Sequence, residues 1–522
     1  MIVAAGLRLW SIDFGLPALY RPDENVTVGR AMGIFHGILD PHFADWPHLY
    51  FYVAAAWLAP LRLIGLVQDP PSGYLWIRIL GALLGSLTVL LVFEFGRRAY
   101  GWLAGFFGAS GVAVAFLHVR DSHFSTTDIP LALACTAALY IAYRTIDAHG
   151  LRPLLLNGIS LGVATSLKYN GALVFAGMAA AQVMRARRER TTAARLVGRL
   201  TAIAGVGLLA LAVTSPFLLL DPAKTAQGLR YIVAHLASET VPQVGWVRLL
   251  IALWYGMDPG LFLLGLIGAG YAAWRRQPAD VIVLAFVLSY YLVIGSGHSV
   301  FFRYADPLIP PLLLLGGRAT VELVVRRTRQ GASAVLVAAV ALLSLGPAVF
   351  HDVRYDVLTS RPDTRTLAFD WLQAHLPVGG RVAIPYKPGP AHDQALVDSR
   401  TESIGATDPY IASFLENRLE SQYTVHVLSE NDLQTDTPDR LRADGVQYVV
   451  IARKRPDLGC AAPTPLEQAL RREGSPVASF SPTASGCPDS VFDQIDTYYV
   501  PLAGYRGWVR PGPPIRIYRL AG

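Results

Sequence analysis

Several polar stretches interrupt an otherwise apolar chain, and each carries side chains able to do chemistry. Pro22-Asp23-Glu24 places two adjacent carboxylates ahead of an amphipathic segment, residues 26–39. Arg120-Asp121-Ser122-His123 and Thr127-Asp128-Ile129-Pro130 lie between two apolar runs, Lys168-Tyr169-Asn170 breaks the apolar stretch 154–184, and Gly297-His298 leads to Arg303-Tyr304 between two later runs. A positioned carboxylate can take a proton from a hydroxyl. Arginine and lysine suit a phosphate, the first through a two-pronged fork and the second as a point charge. Each stretch also has an ordinary explanation. Asp23 could cap the helix after it, with Glu24 stabilising its first turn. Asp128 could cap a helix carrying Pro130 early, and a lysine at a membrane edge often only reaches for water.

These residues must be positioned by membrane helices. The chain has 522 residues, 53% of them hydrophobic and 16% charged, a balance foreign to soluble domains. Its net charge of +7 comes from basic residues in short clusters between apolar runs, so the reading is cytoplasmic loops and no nucleic acid. Apolar runs at 74–95, 102–117, 129–143, 154–167, 171–184, 200–220, 259–274, 281–294, 307–325 and 332–349, with residues 1–10 as the tail of a first span, predict about eleven spans. Arg97 and Arg98, Arg144 and Arg152, the arginines of 185–199, Arg275 and Arg276, and Arg326, Arg327 and Arg329 close alternate loops. Those loops are cytoplasmic by the positive-inside rule, and the candidate residues then face outward. Parity requires the run 49–67 to lie in the outer interface instead of crossing, with Trp46, Tyr50, Tyr52 and Trp57 at headgroup level.

Two cations on the outer side, Lys168 and Arg303, run against the orientation rule and share that side with Asp23, Glu24 and Asp128. They suggest a common anionic ligand. From residue 351 the composition becomes that of a soluble domain. Helix 364–375, strand 381–385, helix 416–422, strand 424–428, helix 438–443 and strand 446–452 alternate as a small α/β domain, followed by loop over 456–488. The predicted fold class is thus a polytopic α-helical membrane protein. It comprises a transmembrane module over 1–350, with juxtamembrane helices in the first outer loop at 15–72, and an extracytoplasmic α/β domain over 351–522. Cys135 reads as a core residue, and Cys460 and Cys487 could pair.

The pattern resembles the C-type glycosyltransferase superfamily, in particular bacterial relatives of protein O-mannosyltransferases and of lipid A aminoarabinose transferases. The resemblance is carried by Asp23-Glu24 after Leu16-Pro17, by Pro47-His48-Leu49-Tyr50-Phe51-Tyr52, by Thr127-Asp128-Ile129-Pro130 and by Arg303-Tyr304. It implies an inverting transfer of one sugar from a polyprenyl-phosphate carrier to a glycan, lipid or protein acceptor on the periplasmic side of a bacterial inner membrane. Asp23 would be the general base, or would place the acceptor or a divalent metal, with Glu24 supporting it and Asp128 as the second-loop acid and other candidate metal ligand. Lys168, Arg303 and Tyr304 would hold the lipid phosphate, with His298 and Arg120 as neighbours, and Tyr50 and His123 would position donor or acceptor. Where the aminoarabinose transferases carry Lys-Pro-Pro before the tyrosine pair, this chain has Trp46-Pro47-His48, so His48 is the candidate substitute for that contact.

The residue types fit such a reaction independently, since displacing a phosphate from an anomeric carbon needs a base for the incoming hydroxyl and cations for the leaving oxyanion. A transporter or flippase of lipid-linked saccharides is the alternative, and would be expected to carry its charges at mid-bilayer within repeated halves. An inactive scaffold is a third possibility.

Overall fold

A computed structural model of the protein describes residues 1–520 apart from Leu19, Pro22 and residues 239–242, 326–329, 386–422, 430, 453–461, 487–488, 494 and 496–497. The expected helix at 416–422, the Cys460–Cys487 pair and the arginines of 326–329 lie outside the described residues. Two compact units emerge, one of residues 1–12, 33–67 and 74–353, the other of residues 13–32, 68–73 and 354–522.

In chain order the helices up to the change of composition are α1 (Ile2–Leu9), α2 (Glu24–Ile34), α3 (Leu49–Leu63), α4 (Pro70–Tyr100), α5 (Trp102–Ala113), α6 (Phe116–Asp121), α7 (Asp128–Arg144) and α8 (Leu151–Leu167). They continue as α9 (Phe175–Glu189), α10 (Ala193–Thr214), α11 (Phe217–Leu220), α12 (Pro222–Ala237), α13 (Gly245–Met257), α14 (Pro259–Arg275), α15 (Pro278–Gly295), α16 (Ile309–Thr320) and α17 (Gln330–Thr359). Within the first unit α8 packs on α10, while α5 and α14 flank α16. Every residue of α16 is buried, so it is an inner helix. Gly317 of α16 lies against Gly108 and Ala104 of α5 so closely that a Cβ would meet their backbones, the small-residue contact typical of packed membrane helices. By contrast α10 leaves Leu208, Leu209 and Val213 exposed, as a hydrocarbon-facing helix would.

Among the described residues four helical stretches are long and apolar enough to cross a membrane, 71–100, 193–214, 278–295 and 302–324, or five if α13 and α14, bent by 119° at Asp258, form one broken span. α13 is a helix that the sequence reading missed. The run 102–117, expected as one span, breaks at Val114 into α5 and α6. α3 has 15 residues, about 22 Å of helix against a core of roughly 30 Å. One expectation for this region is corrected: Tyr50 is wholly buried within the protein and so does not present its ring to lipid headgroups.

The second unit contains α18 (Thr364–His375), short helices α19 (Asp432–Thr435) and α20 (Pro438–Ala443), and α21 (Pro465–Glu473), with strands β1 (Arg381–Pro385), β2 (Thr424–Leu428), β3 (Tyr448–Ala452), β4 (Ala478–Phe480) and β5 (Ile515–Arg519). The sheet order is β2-β1-β3-β5-β4, parallel from β2 through β3 and antiparallel from there to β4. Alternation sorts the side chains onto two faces. Val382, Ile384, Val450, Ala452, Ile515 and Ile517 meet Phe369 and Leu372 of α18, while Ala383, Val449, Ile451 and Tyr518 meet Leu441 of α20 and Leu466 and Leu470 of α21. The loop expected over 456–488 is corrected by α21 and β4. Thr464 caps α21 through the backbone N–H of Glu467, with Pro465 in the first turn, and these start signals outweigh the local proline and glycine content.

Candidate functional site

The charged cluster of the first unit is built where three helix ends converge. α7 begins at Asp128, whose buried carboxylate meets partners from other elements. Oδ1 accepts a hydrogen bond from Lys168 Nζ at 2.7 Å, and Oδ2 lies 3.6 Å from Arg303 Nε. Lys168 sits one residue past α8 in extended backbone, and a 3₁₀ turn over Tyr169–Val174 follows. Gly171 makes this reversal possible, because a Cβ there would collide with the Ala164 carbonyl. Neighbours on both sides pin the turn: the Tyr169 hydroxyl donates to the Ala44 carbonyl at 3.0 Å, and Asn170 Nδ2 donates to the Tyr290 hydroxyl at 2.8 Å.

Arg303 enters from a second 3₁₀ turn, Phe302–Leu308. Its guanidinium lies 4.0 Å from the centre of the Phe301 ring, and Lys168 Nζ lies 4.6 Å from that of Tyr304. Asp128 and Arg303 are buried, whereas Lys168 keeps 17% of its side chain exposed and is the open member. Lys168 and Arg303 bring two cations to one carboxylate, and both are side chains suited to an oxyanion. The lysine is thus held by a specific partner and does not merely reach for water.

The other expected residues take varied places. Arg120 and Asp121, both buried at the end of α6, pair at 2.7 Å. Asp306, wholly buried, faces Asp121 within electrostatic reach of Asp128 and Arg120. Sequence reasoning missed it, although an acid three residues beyond Arg303 and next to Pro307 was a visible signal. Both ring nitrogens of His123 face backbone carbonyls, Nδ1 that of Val119 at 3.0 Å and Nε2 that of Trp10 at 3.1 Å, which ties the second loop to the end of α1. His48 is buried, with Nε2 2.7 Å from the Phe43 carbonyl and its backbone N–H donating to Ser215 Oγ. Tyr50 is buried on α3, and His298 is exposed, its backbone N–H donating to the Leu236 carbonyl.

Asp23 and Glu24 belong to the second unit. Glu24 opens α2 and is wholly buried. Asp23, half-buried, has φ +71°. An ordinary N-cap has extended backbone, so the simple capping explanation does not describe it. The left-handed region costs a side-chain-bearing residue on the order of 1 kcal/mol. Just upstream, the Tyr20 hydroxyl lies 2.6 Å from Thr366 Oγ1, and the Arg365 guanidinium lies 3.9 Å from the Tyr20 ring centre. Burial pushes the Tyr20 phenol well up, so it stays neutral. Asp363 holds Arg365 through two hydrogen bonds of 2.9 Å, and the Arg21 guanidinium lies 5.4 Å from the Tyr498 ring centre.

Among the described residues no three His, Cys, Asp or Glu side chains converge as a metal site.

Residues 72–220 match the family model described as dolichyl-phosphate-mannose-protein mannosyltransferase, which bears out the resemblance read in the sequence. The matched segment carries Arg120, His123, Asp128 and Lys168. No curated protein matches. Among solved structures, the apo oligosaccharyltransferase of Archaeoglobus fulgidus aligns at 12% identity and TM-score 0.50, covering 86% of this chain and 69% of that one. ArnT from Cupriavidus metallidurans bound to undecaprenyl phosphate aligns at 18% identity and TM-score 0.46, covering 80% and 74%. The archaeal AglB from Archaeoglobus fulgidus in complex with an inhibitory peptide and a dolichol-phosphate aligns at 13% and 0.48, covering 86% and 68%. The likeness to the apo archaeal enzyme is one of fold.

Proposed function

We propose that the protein is an integral membrane glycosyltransferase that moves one sugar from a polyprenyl-phosphate carrier to an acceptor hydroxyl, with inversion, on the outer face of a bacterial inner membrane. The observation that carries this reading is the grouping of Lys168 and Arg303 around Asp128, within and beside a segment matching a family whose description names a lipid-phosphate sugar donor. Asp23 takes the proton of the acceptor hydroxyl as its oxygen attacks the anomeric carbon. The bond from that carbon to the phosphate oxygen breaks, and its electron pair leaves with the carrier phosphate. Lys168 and Arg303 stabilise the phosphate charge as it grows, the electrostatic contribution expected to dominate such a transfer. Asp128 sets the spacing of the two cations, and the Tyr304 ring supports Lys168 by a cation–π contact. The acceptor is a glycan, a lipid or a protein, and the sugar is a hexose or a pentose.

Native mass spectrometry of the purified protein tests the reading. A co-purifying polyprenyl phosphate or glycosyl polyprenyl phosphate is the expected result, with reduced occupancy in Lys168→Ala and Arg303→Ala. Unchanged occupancy in both variants would remove the phosphate role from the cluster. Movement of an intact lipid-linked sugar across vesicles without transfer would favour the flippase.

A further inference from the structure

The backbone at Asp23 lies in the left-handed region, and Tyr20 and Arg21 just upstream are held by groups from the C-terminal part of the chain. Tyr20, three residues upstream, is gripped twice: its hydroxyl by Thr366 Oγ1 at 2.6 Å, its ring by the Arg365 guanidinium at 3.9 Å. Arg365 is itself fixed by the two oxygens of Asp363, the residue that caps α18. Arg21 adds a second point of attachment at the Tyr498 ring, and Tyr498 is anchored through its hydroxyl to that of Tyr355 at 2.9 Å. A left-handed, side-chain-bearing residue persists where its surroundings over-determine it. In the second unit those surroundings are the clasp on Tyr20 and Arg21, after which the chain enters α2 directly at Glu24.

We infer that Tyr20, Thr366 and Arg365 form a clasp by which the C-terminal α/β domain holds the Asp23 loop in its working conformation, which makes these three positioning residues for the transfer reaction. The inference deepens the proposed function and rests on Asp23 being the base. It gives the C-terminal domain a role in turnover that its sheet, built on ordinary core packing, does not announce. Tyr20 suits the role because its buried phenol remains a neutral hydroxyl, so the grip on Thr366 does not loosen with pH in the ordinary range. Arg365 suits it because the planar guanidinium can lie on an aromatic ring while its fork faces a carboxylate.

The test uses the full-length protein in lipid nanodiscs, with Tyr20→Phe and Thr366→Val, each of which deletes one side of the same hydrogen bond. Hydrogen–deuterium exchange of residues 20–30 is expected to quicken about fivefold in each variant, as loss of one hydrogen bond allows. Exchange of α18 and of the sheet should stay at wild-type rates, and the double variant should be no worse than either single one. With polyprenyl-phosphate mannose as the donor probe, kcat should fall about tenfold at unchanged KM, the mark of a misplaced group in a retained binding site.

Unchanged exchange at 20–30 would overturn the clasp. So would exchange that rises equally through α18 and the sheet, since that reports general destabilisation. A loosened loop with unaltered kcat would overturn the positioning role. Should the wild type not turn over this donor, the proposed function fails on that probe, while the exchange result still decides the clasp.

Discussion

Arg303 and Lys168 differ in what they lose on substitution. Arg303 is buried and faces Asp128 and the Phe301 ring. Arg303→Ala should therefore weaken undecaprenyl phosphate binding by about tenfold or more, the equivalent of a charge-assisted hydrogen bond of roughly 1.5–3 kcal/mol. Native mass spectrometry at graded lipid concentrations measures this, and unchanged affinity would make the arginine structural. Asp128→Asn keeps the shape but removes the carboxylate between two cations. It should lower thermal stability, because a buried pair broken on one side leaves charge uncompensated, at a loss of about 3–5 kcal/mol. A melting temperature equal to that of the wild type would show that Asp128 is not the keystone of the cluster. At this scale the sequence was informative because Lys168 and Arg303 stood out as cations breaking apolar stretches, and the structure groups both on Asp128. Asp306 escaped because burial, which singles it out, is a tertiary property.

The turn after α8 is the element on which Lys168 depends. Gly171→Ala would drive a methyl into the Ala164 carbonyl, so the turn must shift, at about 1–3 kcal/mol. Reduced carrier binding with a modest fall in melting temperature is expected, and full retention of both would mean that Lys168 tolerates a displaced turn. Among helices and strands, α18, β1, β2 and α20 were legible to the residue, since caps and short β-branched runs mark their ends locally. α13 was not legible. Its apolar run reads continuously into α14 except at Asp258, where the chain bends by 119° with Asp258 at φ +63° and Pro259 opening the next helix. α21 was hidden by composition although Thr464, Pro465 and Glu467 spell out a helix start. The clasp on Tyr20 joins residues separated by 346 positions, which no local pattern reveals.

For the whole molecule, charge parity and the proposed chemistry make one topological demand. Ser72, in the first turn of the long helix α4, should face outward, and Arg276, after α14, inward. In a protein with Cys460 and Cys487 replaced by serine, Ser72→Cys should react with an impermeant thiol reagent from outside and Arg276→Cys should not, while Cys135 stays silent because it is buried. Cytoplasmic labelling of Ser72→Cys would reverse the assignment of the site to the outer face. In the proposed reaction Asp23 activates the acceptor while the Lys168–Arg303 cluster holds the donor phosphate. Its most direct test is acceptor-dependent release of polyprenyl phosphate from a polyprenyl-phosphate sugar by purified wild type and Asp23→Asn, with carrier binding measured on the same preparations. The expected result is turnover by the wild type and a loss of at least about a hundredfold in Asp23→Asn, in the range of general-base catalysis, with binding retained. Wild-type-like turnover by Asp23→Asn would contradict the assignment.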